Sequence, residues 1–289
     1  MSNNKAIRIL AYIVTFFVML LFYYYFQGSI FEENMFIKFA SVLLVSFILY
    51  FYIDSANRGE KIFLRPIAGL KAIEEAVGRS TEMGKPVLFV PGIMDMDQVE
   101  TVSGLTILGN VSELTAKYET PLNVPVSKAI VMEAARETCK ESYLKSGRPD
   151  LYFDDMVHYV TDDQFAYTAG VNGIMLREKP AACFYQGKFY AESLILAETG
   201  NSIGAIQIAG TGSPSQIPFF VTACDYTLIG EEFFTASAYL SNDTQLLGSI
   251  KGQDIVKLFM MISMMVVFIS DALFQFNLIS FNILNIFKY

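Results

Sequence analysis

Long apolar runs stand at both ends of the chain, and between them the pattern breaks into short segments that alternate in period. Ile9 to Phe26 holds 18 residues without a charge. At about 1.5 Å per residue that is about 27 Å, close to the thickness of a hydrocarbon core. Met35 to Ile53 is a second run, with Lys38 close enough to its start for the ammonium to snorkel to the interface. Leu258 to Phe276 is a third, and Asn277 to Phe287 either extends it or lies along the interface. The runs predict three transmembrane helices, two N-terminal and one C-terminal. The first is too long for a signal peptide and no small-x-small cleavage site follows it, so it is expected to be retained. Tyr23 to Tyr25 suit an interfacial aromatic belt. Asp271, toward the far end of the third run, is expected at an interface.

The middle of the chain reads differently. Val87 to Val90 is a four-residue apolar run stopped by Pro91-Gly92 and followed by a helical pattern, as in a buried parallel strand feeding a crossover helix. Gln98 to Tyr118 repeats apolar residues at helical spacing. Leu122 to Val126 is a short strand whose Pro125 places it at an edge or a strand end. Ser127 is positioned to cap a helix over Lys128–Lys145. Val157 to Val160 is a third strand, after which Asp162 caps a helix to Arg177. Ala181 to Gln186 is a fourth strand, with a helix from Lys188 to Glu198, and Ala205 to Ala209 a fifth. Gly210 to Gln216 reads as a turn, Pro218 to Ala223 as a sixth strand pairing antiparallel with the fifth, and Tyr226 to Leu240 as a last helix. Strands alternating with helices predict an α/β fold, a Rossmann-like, mainly parallel sheet covered on both faces. Residues 1–54 form the helical hairpin, 55–85 a juxtamembrane connector with a helix over Pro66–Val77, 86–250 the α/β domain, and 251–289 the last span with its tail.

Composition supports this division. Only 17% of residues are charged and 53% are hydrophobic, where a soluble domain carries about a quarter charged. Residues 86–250 hold nine Lys/Arg against twenty Asp/Glu, a net of −11, and the remainder twelve against nine. An acidic domain lacks the clustered bases that phosphate backbones require, so nucleic acid is not expected as a partner. Lys5 and Arg8 precede the first run, Arg58, Lys61, Arg65 and Lys71 follow the second, and Lys251 and Lys257 precede the third. This bias predicts an inner (cytoplasmic) membrane protein with the α/β domain in the cytoplasm. Three scattered cysteines, Cys139, Cys183 and Cys224, fit free thiols in a reducing compartment.

Candidate chemistry is sparse. In open α/β sheets ligands bind beyond the carboxyl ends of strands. The residues there are Gly92, Asp95 and Asp97 after the first strand and Asp162 and Asp163 after the third, either as ligand groups or as solvated, helix-capping loops. The single histidine, His158, excludes a multi-histidine zinc site within one chain. Gly210-Thr-Gly-Ser-Pro-Ser215 resembles part of a dinucleotide fingerprint but lacks the third glycine and is expected to be a hairpin turn. Cys224-Asp225, expected at the end of the sixth strand before a helix, is a candidate activated thiol set against an inert one. No GxSxG, GxxxxGK[ST] or HExxH is present, and no motif calls for a cofactor.

The stretches VLFVPGIMDMDQVETVSGLTILGNVSELTAKYETPLNVPVSKAIVMEAARE and AGTGSPSQIPFFVTACDYTLIGEEFFTASAYLS resemble a family of prokaryotic membrane proteins of unknown function. The resemblance covers Pro86 to Asp254. It implies a membrane-anchored prokaryotic protein and transfers no catalytic residue. Small residues on the helices, Gly104 and Gly109, Ala134 and Ala135, Gly170 and Gly173, and Thr235 to Ala238, serve either packing within the chain or self-association. The leading expectation is a membrane-anchored scaffold or assembly subunit, homo-oligomeric, with membrane lipid and further copies as partners. A ligand-binding or sensory module for a small molecule is the alternative, and an enzyme using Cys224 or His158 the third reading.

Overall fold

The computed structural model describes residues 2–26, 35–59, 67–241 and 243–275. The predicted hairpin link at 27–34, the bases Lys61 and Arg65, and the tail from 276 lie outside the described residues. The chain divides into two units, one made of Met1–Leu64 with Asp243–Tyr289 and one of Arg65–Asn242.

The first unit contains α1 (Ser2–Phe26), α2 (Phe36–Asn57) and α10 (Thr244–Gln275). Among the described residues, α2 and α10 are long and apolar enough to cross a membrane, and α1 contributes a shorter apolar stretch, Leu10–Phe26. Helix α10 is longer than the apolar run Leu258–Phe276 expected from the sequence. The carboxylate of Asp243 accepts the backbone N–H groups of Gln245 (2.7 Å) and Leu246 (3.4 Å), which starts the helix well before that apolar run. Gly248 and Gly252, four apart, face α2. A Cβ on Gly248 would stand 2.6 Å from Ile53 Cα and 2.7 Å from the Tyr52 carbonyl oxygen, and one on Gly252 3.1 Å from Leu49 Cα. Only glycine permits that backbone-to-backbone approach. Rings of α1 and α2 interlock edge to face, with Tyr12 against Phe47, Tyr50 and Phe51. The Tyr12 hydroxyl donates to Asp54 Oδ2 (3.0 Å), which also accepts from Arg58. Toward the end of α10, Asp271 accepts from Gln275 (2.9 Å).

The second unit is a three-layer α/β fold. Its strands are β1 (Val87–Val90), β2 (Leu122–Val126), β3 (Val157–Tyr159), β4 (Ala182–Gln186), β5 (Ile206–Thr211) and β6 (Tyr226–Ile229). They form one sheet in the order β3-β2-β1-β4-β5-β6, and every pair is parallel. This is a doubly wound order whose direction reverses between β1 and β4. Helices α3 (Ala68–Met83), α4 (Val99–Tyr118), α5 (Ala129–Lys145) and α9 (Glu231–Ser241) share a core with one face. The other face is covered by α6 (Gln164–Glu178), α7 (Glu192–Ser202) and α8 (Ile217–Ala223). All four residues of β1 are buried, Phe89 toward the first core and Leu88 and Val90 toward the second. That explains an unbroken apolar run, since both faces of the strand are dry.

Several expectations are corrected. Pro218–Ala223 is a helix, and Pro218 is tolerated in its first turn because the missing N–H there has no helical partner. Of that apolar run Phe220 alone is buried, so it has one inward face rather than a strand's alternation. Tyr226–Ile229 is then the sixth strand, α8 is the crossover into it, and the expected antiparallel pair does not exist. Pro125 sits in an interior strand. The pairing of β1 with β2 stops at Asn123, and the Pro125 carbonyl accepts from the buried Tyr167 hydroxyl (2.7 Å). Ser127 does not cap α5, and the cap of α6 is Asp163, not Asp162, with Oδ1 accepting from the Ala166 N–H (2.8 Å). The helix read as a connector extends to Met83 and covers the sheet, burying Ala72, Ile73, Ala76 and Val77. Gly69 at its start lies against Leu228.

Candidate functional site

The reversal point between β1 and β4 is where this topology places a ligand crevice. Here the two loops meet through their backbones. Gly92 has φ 80°, and a Cβ on it would stand 2.7 Å from the Lys188 carbonyl oxygen and 2.9 Å from the Lys188 nitrogen. Gly187 has φ 146°, and its Cβ would stand 2.7 Å from the Pro91 carbonyl oxygen. The Ile93 N–H donates to the Lys188 carbonyl (3.2 Å), and the Gly187 N–H donates to that of Gly210 (2.9 Å). Two glycines in conformations other residues resist are thus spent on closing the gap.

Side chains extend the closure. Lys188 Nζ donates to Gln98 Oε1 (2.9 Å) after β1, Gln164 Nε2 after β3 donates to Glu192, and Ser193 Oγ donates to Gln216 Oε1 (2.6 Å) after β5. The β4–α7 connection is therefore tied to the connections that follow three other strands. Glu192 is fully buried at the first residue of α7 and also accepts the Tyr190 N–H (2.8 Å). The helix N-terminus favours its negative charge. Burial first, and the Glu192 charge second, push the Tyr167 phenol well above its ordinary range, so it stays a hydrogen-bond donor.

Of the predicted residues, Gly92 lies at the junction itself. Asp95 is turned onto its own loop, accepting the Met96 N–H (2.7 Å), and the exposed Asp97 accepts from Gln98 Nε2 (3.1 Å). Asp162 is exposed and Asp163 caps α6. Strand β2 separates β1 from β3, so the two acidic pairs end non-adjacent strands. No group of three or more His, Cys, Asp or Glu able to hold a metal is found among the described residues.

The Gly210–Ser215 loop leads into a helix after all, which removes the ground for reading it as a hairpin turn. Its glycines are nonetheless taken up by protein. The space at Gly210 holds the side chains of Gln186 and Phe233, and that at Gly212 holds Phe234. Cys224 does not end a strand before a helix. It follows the carboxyl end of α8 and precedes β6. Burial, then the adjacent Asp225 charge, push its thiol up to about 12. Burial alike pushes Cys139 up to about 11 and Cys183 to about 12. His158 lies in β3 in register with Pro125.

Sequence reasoning missed Lys188, Glu192, Gln186 and Thr101. Gln186 ends β4 fully buried; its Nε2 donates to the Ile208 carbonyl (2.9 Å), while its Oε1 has no partner. Thr101 Oγ1 is likewise buried without a partner. Thr101 and Gly104 share a face of α4, and Gly104 rests on the Gln186 backbone. One unsatisfied oxygen thus belongs to Gln186, the neighbour of Gly187 in the junction, and the other lies one helical turn from the glycine that packs on Gln186.

Residues 26–282 match the family model described as a domain of unknown function, DUF6754. No curated protein and no solved structure matches the chain.

Proposed function

The chain belongs to the DUF6754 family, and from that premise we propose that it is a membrane-anchored scaffold or assembly subunit working by contact rather than by chemistry. In this reading helices α1, α2 and α10 cross the inner membrane of a prokaryotic cell and the α/β unit lies in the cytoplasm. The observation that carries it is the closed junction between Gly92 and Lys188, because the crevice that gives this topology its usual ligand site is filled by backbone. Three of the unit's small residues are taken up by packing within it. Gly104 is used against Gln186, Gly109 against Thr138, and Gly170 against Val160. Association between copies then falls to the membrane helices. Gentle detergent extraction followed by mass measurement tests the reading. The expected particle contains several 32.4 kDa chains, and a strictly monomeric particle overturns it.

One observation favours a second reading. The unsatisfied oxygens of Gln186 and Thr101 would reward a small polar ligand that reached them after the junction opened. Thermal-shift measurement with nucleotides and divalent cations separates the two, since a ligand that binds the folded chain alone raises its melting temperature. The catalytic reading gains nothing from the geometry, because Cys224 is held protonated beside an acid.

A further inference from the structure

We propose that the rim at the carboxyl ends of the strands is a docking surface for a cationic, amphipathic protein segment. Each strand presents one large apolar side chain there. In sheet order they are Tyr159 ending β3, Ile130 in the first turn after β2, Val99 opening the helix after β1, Tyr190 after β4, Phe219 in the helix after β5, and Ile229 ending β6. They are 40% to 65% exposed. Parallel topology brings all six to one edge, where isolated apolar residues would need no explanation but a row across a whole sheet does. Six strands at about 4.8 Å spacing span about 24 Å, the length of a helix of about 16 residues.

Charge decides the occupant. Among these apolar residues stand Asp95, Asp97, Glu100, Asp162 and Asp163, none in an ion pair among the described residues. The connections that leave the strands carry two bases, Lys128 and Lys188, and Lys188 is already bonded to Gln98. The opposite rim also exposes apolar side chains, Leu144 and Phe153, but it mixes bases with its acids, of which Glu113, Glu119 and Asp150 are paired while Asp154 and Asp155 are in no ion pair among the described residues. Arg148 binds Glu119 and Asp150, and Lys145 binds Glu113 (3.1 Å). A second copy of this rim would bring like charge against like charge. An anionic lipid surface is disfavoured for the same reason. A segment with Lys or Arg on one face and Leu-type residues on the other matches both the apolar row and the unpaired acids. The proposal takes from the scaffold reading one premise, that the unit works by contact.

The test uses the full chain in nanodiscs of zwitterionic lipid and a tagged amphipathic Lys/Leu helix of about 16 residues, with empty discs as the blank. Saturable binding is expected, weakening with added salt. It should fall about tenfold in the pair Asp97→Asn/Asp162→Asn. A comparable fall is expected in Val99→Ser/Ile130→Ser. No change is expected in Asp155→Asn or Leu144→Ser at the opposite rim. Absence of saturable binding, or equal losses at both rims, overturns the proposal. Rim-dependent binding to anionic vesicles overturns it in favour of lipid, and a change of particle mass in the rim variants overturns it in favour of a second copy. A monomeric wild-type particle that still binds the peptide would sink the assembly reading and leave the rim proposal standing.

Discussion

A Cβ on Gly92 would stand 2.7 Å from the carbonyl oxygen of Lys188, so the loop after β1 lies against the loop after β4 because residue 92 has none. Gly92 also has φ 80°, and two separate costs therefore meet at one position.

Gly147 allows those costs to be separated. Its φ is 72° but a Cβ there would meet nothing within 4 Å. Gly147→Ala is expected to cost about 1 kcal/mol through backbone strain alone. Gly92→Ala adds a clash with backbone that cannot swing away, for a total of about 3 kcal/mol. Chemical denaturation of the two variants followed by circular dichroism checks this, and equal losses would show that the junction is looser than its geometry implies.

Gly248 poses the same question in the first unit. Its Cβ would overlap Ile53 Cα and the Tyr52 carbonyl. Gly248→Leu is expected to separate α10 from α2 and lower the temperature at which the detergent-solubilised chain leaves solution. Gly78, in α3 with open space around it, predicts the opposite sign: Gly78→Ala should stabilise by about 0.5–1 kcal/mol through helix propensity.

Thr101 Oγ1 is buried without a partner. Thr101→Val keeps the shape and removes the unsatisfied group, so the chain should gain about 1 kcal/mol. Loss of stability in this variant would mean that the hydroxyl is satisfied in solution, which would favour the ligand reading over the scaffold one.

Legibility in the sequence follows what each residue is asked to do. Val87–Val90 and Ala182–Gln186 are buried on both faces, and continuous apolar runs advertised them. Pro218–Ala223 reads as a strand because a helix of seven residues is too short to show a period, and its exposed Phe219 and Val221 imitate a strand. That one misreading displaced β6 and produced the false antiparallel pair. The junction was half legible. Pro91-Gly92 marked its place, but Lys188 binds Gln98 across 90 residues and Glu192 binds Gln164 across 28. Nothing in local spacing announces either pairing. The pair Asp95 and Asp97 drew attention by composition, while the residues that close the site are a lysine, two glycines and a buried glutamate.

Cys224 carries a prediction whose sign can be worked through. Burial and Asp225 raise its thiol from about 9 to about 12, and burial raises Cys183 likewise to about 12 and Cys139 to about 11. The folded chain therefore holds these protons over a range in which the unfolded chain has released them. A raised folded value gives stability that is complete below the unfolded value and is lost as pH climbs toward the folded one. Denaturation midpoints should accordingly be flat in this respect below about pH 9 and fall between about 9 and 12. The same shift makes the partly buried Cys224 slow toward thiol reagents at neutral pH, since the thiolate is the nucleophile. Asp225→Asn removes the neighbouring charge, and the asparagine oxygen can still accept from the Gln207 N–H that Asp225 Oδ2 now holds (2.8 Å). Labelling of Cys224 should speed up in that variant, with Cys139 unchanged as the internal control. If the wild-type thiol labels rapidly at neutral pH, burial and the acid are not setting its reactivity, and the catalytic reading of Cys224 returns.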